Sequence, residues 1–188
     1  MISYGHVIVV DDFFSSCALS AIEQKNYLML NYMDERKSGI AKRVKTEIQC
    51  PEVDSELEGF IKSDELATQI KDWPDLAWRY VWNGLVVWHE VAISEYDPNG
   101  GMDWHIDHYN RKAVLNWIVS ISGKAFIEWN TDPFPKALPE IFRPSHGSVT
   151  AIDLEPNMLV LMPSYYPHRI CMGDEKRVSV HGHFNIRE

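Results

Sequence analysis

The sequence predicts a mainly β fold, α+β in class, with a double-sheeted sandwich or barrel core and an N-terminal helical layer against it. Three observations carry this reading. From Leu85 onward, short apolar runs recur between turn signals. Before that point the apolar positions repeat at helical spacing. No linker, internal repeat or low-complexity tract separates the two parts, so a single domain over 1–188 is expected, with 1–84 as helical support and first strands and 85–188 as the β core.

Taken in order, His6–Val10 is a β-branched run. Asp11-Asp12-Phe13-Phe14-Ser15-Ser16 then leads into a segment whose apolar positions Ala18, Leu19, Ile22 and Leu30 suit a helix, with Ser15 or Ser16 as N-cap. Residues 34–45, DERKSGIAKRVK, hold five basic residues, two acidic ones and Gly39, and read as a mobile loop or hairpin. Leu57, Phe60, Ile61 and Ile70 place a second helix over Glu56–Ile70, which Trp73-Pro74 ends. The strands expected beyond it are Leu85–Tyr96, Ala113–Ile121, Ala125–Trp129, Val149–Leu154, Met158–Met162, Arg169–Met172 and Arg177–Phe184. Asp97-Pro98-Asn99-Gly100-Gly101, Ser122-Gly123, Glu155-Pro156-Asn157 and Met172-Gly173-Asp174 supply the turns between them.

A chain of 188 residues can bury roughly 70% of its unfolded surface, enough for a sizeable core. Its 27 acidic residues against 18 basic ones give a net charge of -9, which opposes non-specific attraction to nucleic acid or an anionic membrane. No apolar run approaches the ~20 residues of a membrane span. The start, MISYGHVIVVDD, lacks both a basic region and a small-residue cleavage site, so no secretory signal is expected. Cys17, Cys50 and Cys171 lie far apart with no CxxC pair, which predicts a reducing, cytoplasmic setting, without a disulfide framework or thiolate zinc site. Cys17, within an apolar helical stretch, is expected to be buried.

The chemistry is concentrated in Asp103-Trp104-His105-Ile106-Asp107-His108. In an extended segment His105 and Asp107 project to one face, and Ile106 and His108 to the other. An imidazole and a carboxylate so spaced can grip adjacent positions of one metal ion. The spacing alone is common and weakly specific. His168, after the strand Met158–Met162, would complete a face of two histidines and one carboxylate, which leaves the remaining iron positions open. Nine residues further, Arg177 and Ser179 alternate to one strand face, where a guanidinium and a hydroxyl can hold the far carboxylate of a metal-chelating dicarboxylic acid. His181 and His183 share that parity and read either as a second metal site or, more simply, as interior histidines that bond a neighbour or position water. His6, His89, His108 and His146 lack partners at ligand spacing and default to structural or surface roles, whereas Trp104 and Trp117 flank the candidate metal strands.

The order His105, Asp107, His168, Arg177, Ser179 resembles the HxD, distal His, RxS pattern of the iron(II)- and 2-oxoglutarate-dependent oxygenases, especially their prolyl 4-hydroxylase-like branch. Tyr96 stands nine residues before His105, as in the string Y-x-x-G-x-x-aromatic-x-x-H-x-D. Gly123–Trp129 is similar to the family's GGxTxF strand, Val149–Pro163 to the strand pair before the distal histidine, and HVIVVDDFFSSCALSAI to its opening strand and helix. Asn99, Met102, Lys124 and His183 depart from the pattern, which has glycine, an aromatic residue, glycine and often tryptophan there. Collagen-type enzymes carry lysine where this chain has Arg177.

The resemblance implies a double-stranded β-helix, a cupin-like jelly roll. It implies Fe(II) on His105, Asp107 and His168, and 2-oxoglutarate as co-substrate with its C5 carboxylate on Arg177 and Ser179 and Tyr96 as a further donor. Dioxygen is then the oxidant, ascorbate an accessory reductant, and hydroxylation the outcome, because halogenating relatives lack the carboxylate that Asp107 supplies. The basic 34–45 loop resembles the finger loop that prolyl hydroxylases fold over peptides, and 131–148 is a second candidate cover. The expected substrate is accordingly a prolyl or other amino-acid residue in a peptide or protein. A small-molecule hydroxylase acting on a free amino acid or biosynthetic intermediate shares every one of these residues. A nucleic-acid demethylase lacks support, since the chain has no RxNxxxR string, and a non-catalytic cupin-like binding domain is the remaining alternative. Oligomeric state is left open.

Overall fold

A strand buried at every position must lie between two layers. Leu159-Val160-Leu161-Met162-Pro163 is such a strand, and the architecture is arranged around it. The computed structural model describes residues 1–24, 32–33, 43–47, 50–71, 86–96, 101–107, 113–130, 149–164, 166–173, 175 and 177–186. Its first part holds β1 (Ile2–Tyr4), β2 (Val7–Val10), α1 (Ser16–Gln24), β3 (Tyr32–Met33), β4 (Arg43–Glu47), α2 (Pro51–Ile61) and α3 (Asp64–Ile70). Then follow β5 (Val86–Tyr96), β6 (Gly101–His105), β7 (Ala113–Ser122), β8 (Ala125–Asn130), β9 (Val149–Leu154), β10 (Leu159–Pro163), β11 (His168–Met172) and β12 (Arg177–Ile186).

The strands form two antiparallel sheets, one in the order β1-β2-β10-β7-β12-β5-β4-β3 and one in the order β6-β11-β8-β9. Period-two alternation sorts the side chains of the larger sheet between its faces. Ile8, Leu115, Trp117, Val119, Leu159, Leu161, Val180 and Phe184 point outward and pack with Ala18, Ile22, Val53, Leu57, Leu66 and Ile70 of the three helices. Val7, Val9, Ile118, Val160 and Met162 point the other way and meet Ala125, Ile127, Trp129, Leu154 and Ile170 of the smaller sheet. The result is a double-stranded β-helix with helices over one sheet, the fold class expected.

Local chemistry explains the junctions. The Ser15 hydroxyl accepts from the Ala18 amide at 3.3 Å and caps α1, while the Ser15 amide donates to Glu56 of α2 at 2.9 Å. Asn157 sits at φ 61 in the turn before β10, a conformation asparagine tolerates. Its side chain exchanges bonds of 2.8 and 2.9 Å with the Phe14 backbone and so ties the entry of α1 to the barrel. Gly123, at φ 78, turns β7 into β8.

The structure corrects several expectations. The helix read over Glu56–Ile70 is two helices, because Ser63 accepts from the Leu66 amide at 3.1 Å and donates to the Phe60 carbonyl at 2.8 Å, starting α3 afresh. Cys17 is exposed and Cys50 buried: α1 turns Ala18 and Ile22 to the core, which carries Cys17 outward. Strand β1 was not expected; it pairs with β2 across the Gly5 turn. Of the basic stretch 34–45, the part in β4 pairs Tyr32 with Lys45 and Met33 with Val44, as a hairpin does. The remainder of that stretch, Trp73-Pro74, the turn residues 97–100 and the stretch 131–148 lie outside the described residues.

Candidate metal centre

His105 ends β6 and His168 begins β11, and the two are paired across the sheet. Their ring centroids lie 4.2 Å apart. Asp107 follows β6 by two residues, its amide held by the Ser164 carbonyl at 3.1 Å. One ligand atom from each of the three side chains lies within 4.8 Å of the others. Strand β6 carries one extra residue against β11, since His168 faces His105 while Ile170 faces Met102. Such a bulge re-aims side chains. Here Met102, three residues from His105, reaches the same cavity.

The two imidazoles are oriented by one device. Nδ1 of His105 lies 2.7 Å from the Asp103 carbonyl, and Nδ1 of His168 lies 2.9 Å from the Tyr166 carbonyl. A carbonyl only accepts, so each Nδ1 carries the proton and each Nε2 faces Asp107, at 3.9 Å from Oδ1 for His105 and 3.4 Å from Oδ2 for His168. Burial opposes ionisation of Asp107. The His168 hydrogen bond and the charges of His105, His168 and His183 outweigh it, and the carboxyl is held well below the ordinary carboxylate range. Burial likewise pushes His168 down, but its bond to Asp107 prevails and the imidazole is raised. Two imidazole nitrogens and a carboxylate converging on one point suit a ferrous ion.

The cavity at this point measures about 110 Å³ and is walled by the triad, by Asn116, His181 and His183, and by apolar side chains including Ile127, Val160 and Met162. His181 and His183 thus occupy the inward positions their parity predicts. Arg177 and Ser179 are both fully buried on β12, at the parity of His181 and His183, but neither is in the cavity wall. The Oγ atoms of Ser179 and of Ser120, its register partner on β7, are buried with no hydrogen-bond partner among the described residues. Two such hydroxyls beside a buried guanidinium fit a carboxylate that arrives with a ligand. For Tyr96 the structure describes only the backbone, paired with Arg177.

Sequence reasoning missed Asn116 and Ser120. Both are polar residues at even positions of β7, alternating with Leu115, Trp117 and Val119, and that alternation was the available signal. Trp117 packs mainly on the helical side, and Trp104 lies under the Arg169 guanidinium at 5.2 Å outside the cavity wall. His6 bonds Tyr166 through Nδ1. His108 and His146, and the side chain of His89, are outside the described residues.

No protein-family model matches the chain, and no curated protein matches it by sequence. Solved structures do. A prolyl-4-hydroxylase from Pseudomonas putida superposes with a TM-score of 0.64 at 16% identity, over 98% of this chain and 94% of that one. A 2OG-Fe(II) oxygenase family oxidoreductase from Burkholderia pseudomallei gives 0.61 at 9% identity, over 96% and 85%. A Trichoplax adhaerens prolyl hydroxylase, in complex with a hypoxia inducible factor oxygen degradation domain peptide fragment, gives 0.55 at 12%, over 97% and 84%. The chain therefore has the fold of the 2-oxoglutarate- and Fe(II)-dependent oxygenases. Two of the three structures that share this fold are prolyl hydroxylases.

Proposed function

We propose that this protein is an Fe(II)- and 2-oxoglutarate-dependent oxygenase that hydroxylates an unactivated C–H bond, in a prolyl or other amino-acid residue of a peptide or protein. The observation that carries the reading is the convergence of His105, Asp107 and His168 within 4.8 Å, in a fold shared with such oxygenases. When bound, iron and the keto acid supply the oxidation: decarboxylation to succinate and carbon dioxide accompanies transfer of one dioxygen atom to carbon. Ascorbate serves as accessory reductant.

The chain's own residues bind and orient. His105 and His168 present Nε2 lone pairs because their Nδ1 protons are committed to backbone carbonyls. Asp107 supplies the anionic oxygen. Arg177 and Ser179 hold the C5 carboxylate, joined by Ser120 and, from β5, Tyr96. The apolar wall from Met102 to Met162 keeps the reacting volume dry. A peptide substrate is supported by the peptide seated on the Trichoplax relative. The net charge of -9 argues against a nucleic-acid partner, and among the described residues no helix is long and apolar enough to cross a membrane. The reading further takes 1–188 as one domain in a reducing, cytoplasmic setting, with no disulfide among its three cysteines.

The test is anaerobic reconstitution with Fe(II) and 2-oxoglutarate, admission of air, and a mass-spectrometric screen of peptide and metabolite pools. Succinate release coupled to gain of one oxygen by a peptide is expected. Coupling to a free amino acid instead would move the substrate to the small-molecule class. No succinate under any condition overturns the enzyme reading.

A further inference from the structure

Asn116 joins the triad to a second strand. Its Nδ2 donates to Asp107 Oδ2 at 2.7 Å, and its Oδ1 lies 2.7 Å from Nδ1 of His183. Asn116 and His183 are register partners on β7 and β12, next to a register shift in β12 after His183. An amide has one donor end and one acceptor end. With Oδ1 accepting from His183 Nδ1–H, the amide is locked with its N–H toward the carboxylate. Without that donor it loses what holds it and is free to turn its oxygen toward Asp107, where two acceptors would repel. Asn116 is 7% exposed, so water is a poor substitute for either bond.

We infer that Asn116 and His183 act as a positioning relay for Asp107, holding its carboxylate plane and occupying one oxygen so that the other remains the metal donor. The inference rests on the metal centre proposed above and names two residues outside the ligand set. The relay is directional: His183 acts through Asn116, and Asn116 acts on Asp107. Outer partners of metal ligands typically contribute 10–100-fold to metal affinity. Because the relay is a single path, breaking both links should cost little more than breaking one.

The experiment titrates metal-free protein with Co(II), reading both affinity and the visible ligand-field spectrum, for wild type, Asn116→Leu, His183→Phe, the double variant and His183→Gln. Thermal unfolding of each metal-free protein accompanies the titration. The relay predicts dissociation constants raised about 10–100-fold and an altered Co(II) spectrum in both single variants, a double variant within about threefold of the weaker single one, and recovery in His183→Gln, whose amide N–H can again donate to Asn116. Wild-type affinity and spectrum in Asn116→Leu or His183→Phe overturn the relay, as do multiplicative losses in the double variant. If Asn116→Leu does not fold, the pair His183→Phe and His183→Gln decides: loss in both, with no rescue, overturns it. Wild-type protein that binds no Co(II) defeats the metal centre itself, an outcome distinct from failure of the relay alone.

Discussion

The larger sheet is covered on both faces, by helices on one side and the smaller sheet on the other. The smaller sheet is covered on one, and its other face carries Phe126, Glu128, Ala151, Asp153 and Arg169, all at least partly exposed. The residues of the candidate site are drawn from both sheets. Both candidate ligand histidines belong to the half-covered sheet, while Asn116 and His183 of the cavity wall and the buried Ser120, Arg177 and Ser179 belong to the doubly covered one. His105 and His168 nonetheless face the cavity between the two sheets, so a metal reaches them through that cavity and not across the open outer face, whereas the groups on the larger sheet are packed from both sides.

The largest effect should follow the loss of a candidate metal ligand. His105→Ala, Asp107→Ala and His168→Ala should each abolish Fe(II) binding and lower turnover by more than about 10³-fold, with the fold retained by circular dichroism. Full activity in any one of them removes that residue from the ligand set. On the other sheet, Arg177→Leu should leave the metal bound but raise the 2-oxoglutarate concentration needed for half-maximal turnover by about 10²-fold, since a buried charge-assisted bond to a carboxylate is lost. An unchanged requirement would take the anchor away from Arg177.

Stability should reside in the doubly covered sheet. Leu161 is fully buried in β10, an interior strand of the larger sheet. Leu161→Ala should lower unfolding free energy by about 3 kcal/mol in a denaturant titration, as removing three buried carbons leaves a cavity between sheet and helices.

What could be read from the sequence divides along a related line. That His105, Asp107 and His168 form one candidate set was legible because the spacing and order of the motif need no knowledge of which strands pair. Asn116 was not, since its meaning comes from His183, 67 residues away, through a β7–β12 register the sequence does not state. Met102 reaches the cavity only through the bulge in β6, which local pattern conceals. The break at Ser63 was hidden by apolar spacing that continues across it, although a serine followed by Asp64 and Glu65 is a helix start in its own right. The seven expected strands were found, Val149–Leu154 with its ends as read and the other six with an end shifted by a residue or two, because each is bounded by its own turn residues, while β6 was not among those expected.

A smaller effect tests the electrostatics between Asp107 and His168. In metal-free protein the Asp107 carboxylate raises His168, so the pair contributes stability within a window. The His168 share is present below its unfolded value and lost as pH rises through the raised one; the Asp107 share is present above its unfolded value and lost as pH falls through the depressed one. Metal requires His168 neutral, so Fe(II) affinity measured anaerobically should fall by about tenfold per unit as pH drops below the raised His168 value. Affinity flat from about pH 8 to 5.5 would show that the imidazole does not compete for a proton.

The smallest effect belongs to the open face of the smaller sheet. Phe126 is 36% exposed and flanked by Asp153 on β9 and Cys171 on β11 in the pairing register. Phe126→Thr keeps a residue suited to strands and removes an aromatic ring already in contact with water, so the change in unfolding free energy should stay within about 0.5 kcal/mol. A loss near the 3 kcal/mol expected for Leu161→Ala would mean that this face is covered in the folded protein after all. The smaller sheet would then no longer be the half-open layer, and the contrast with the doubly covered sheet would fall.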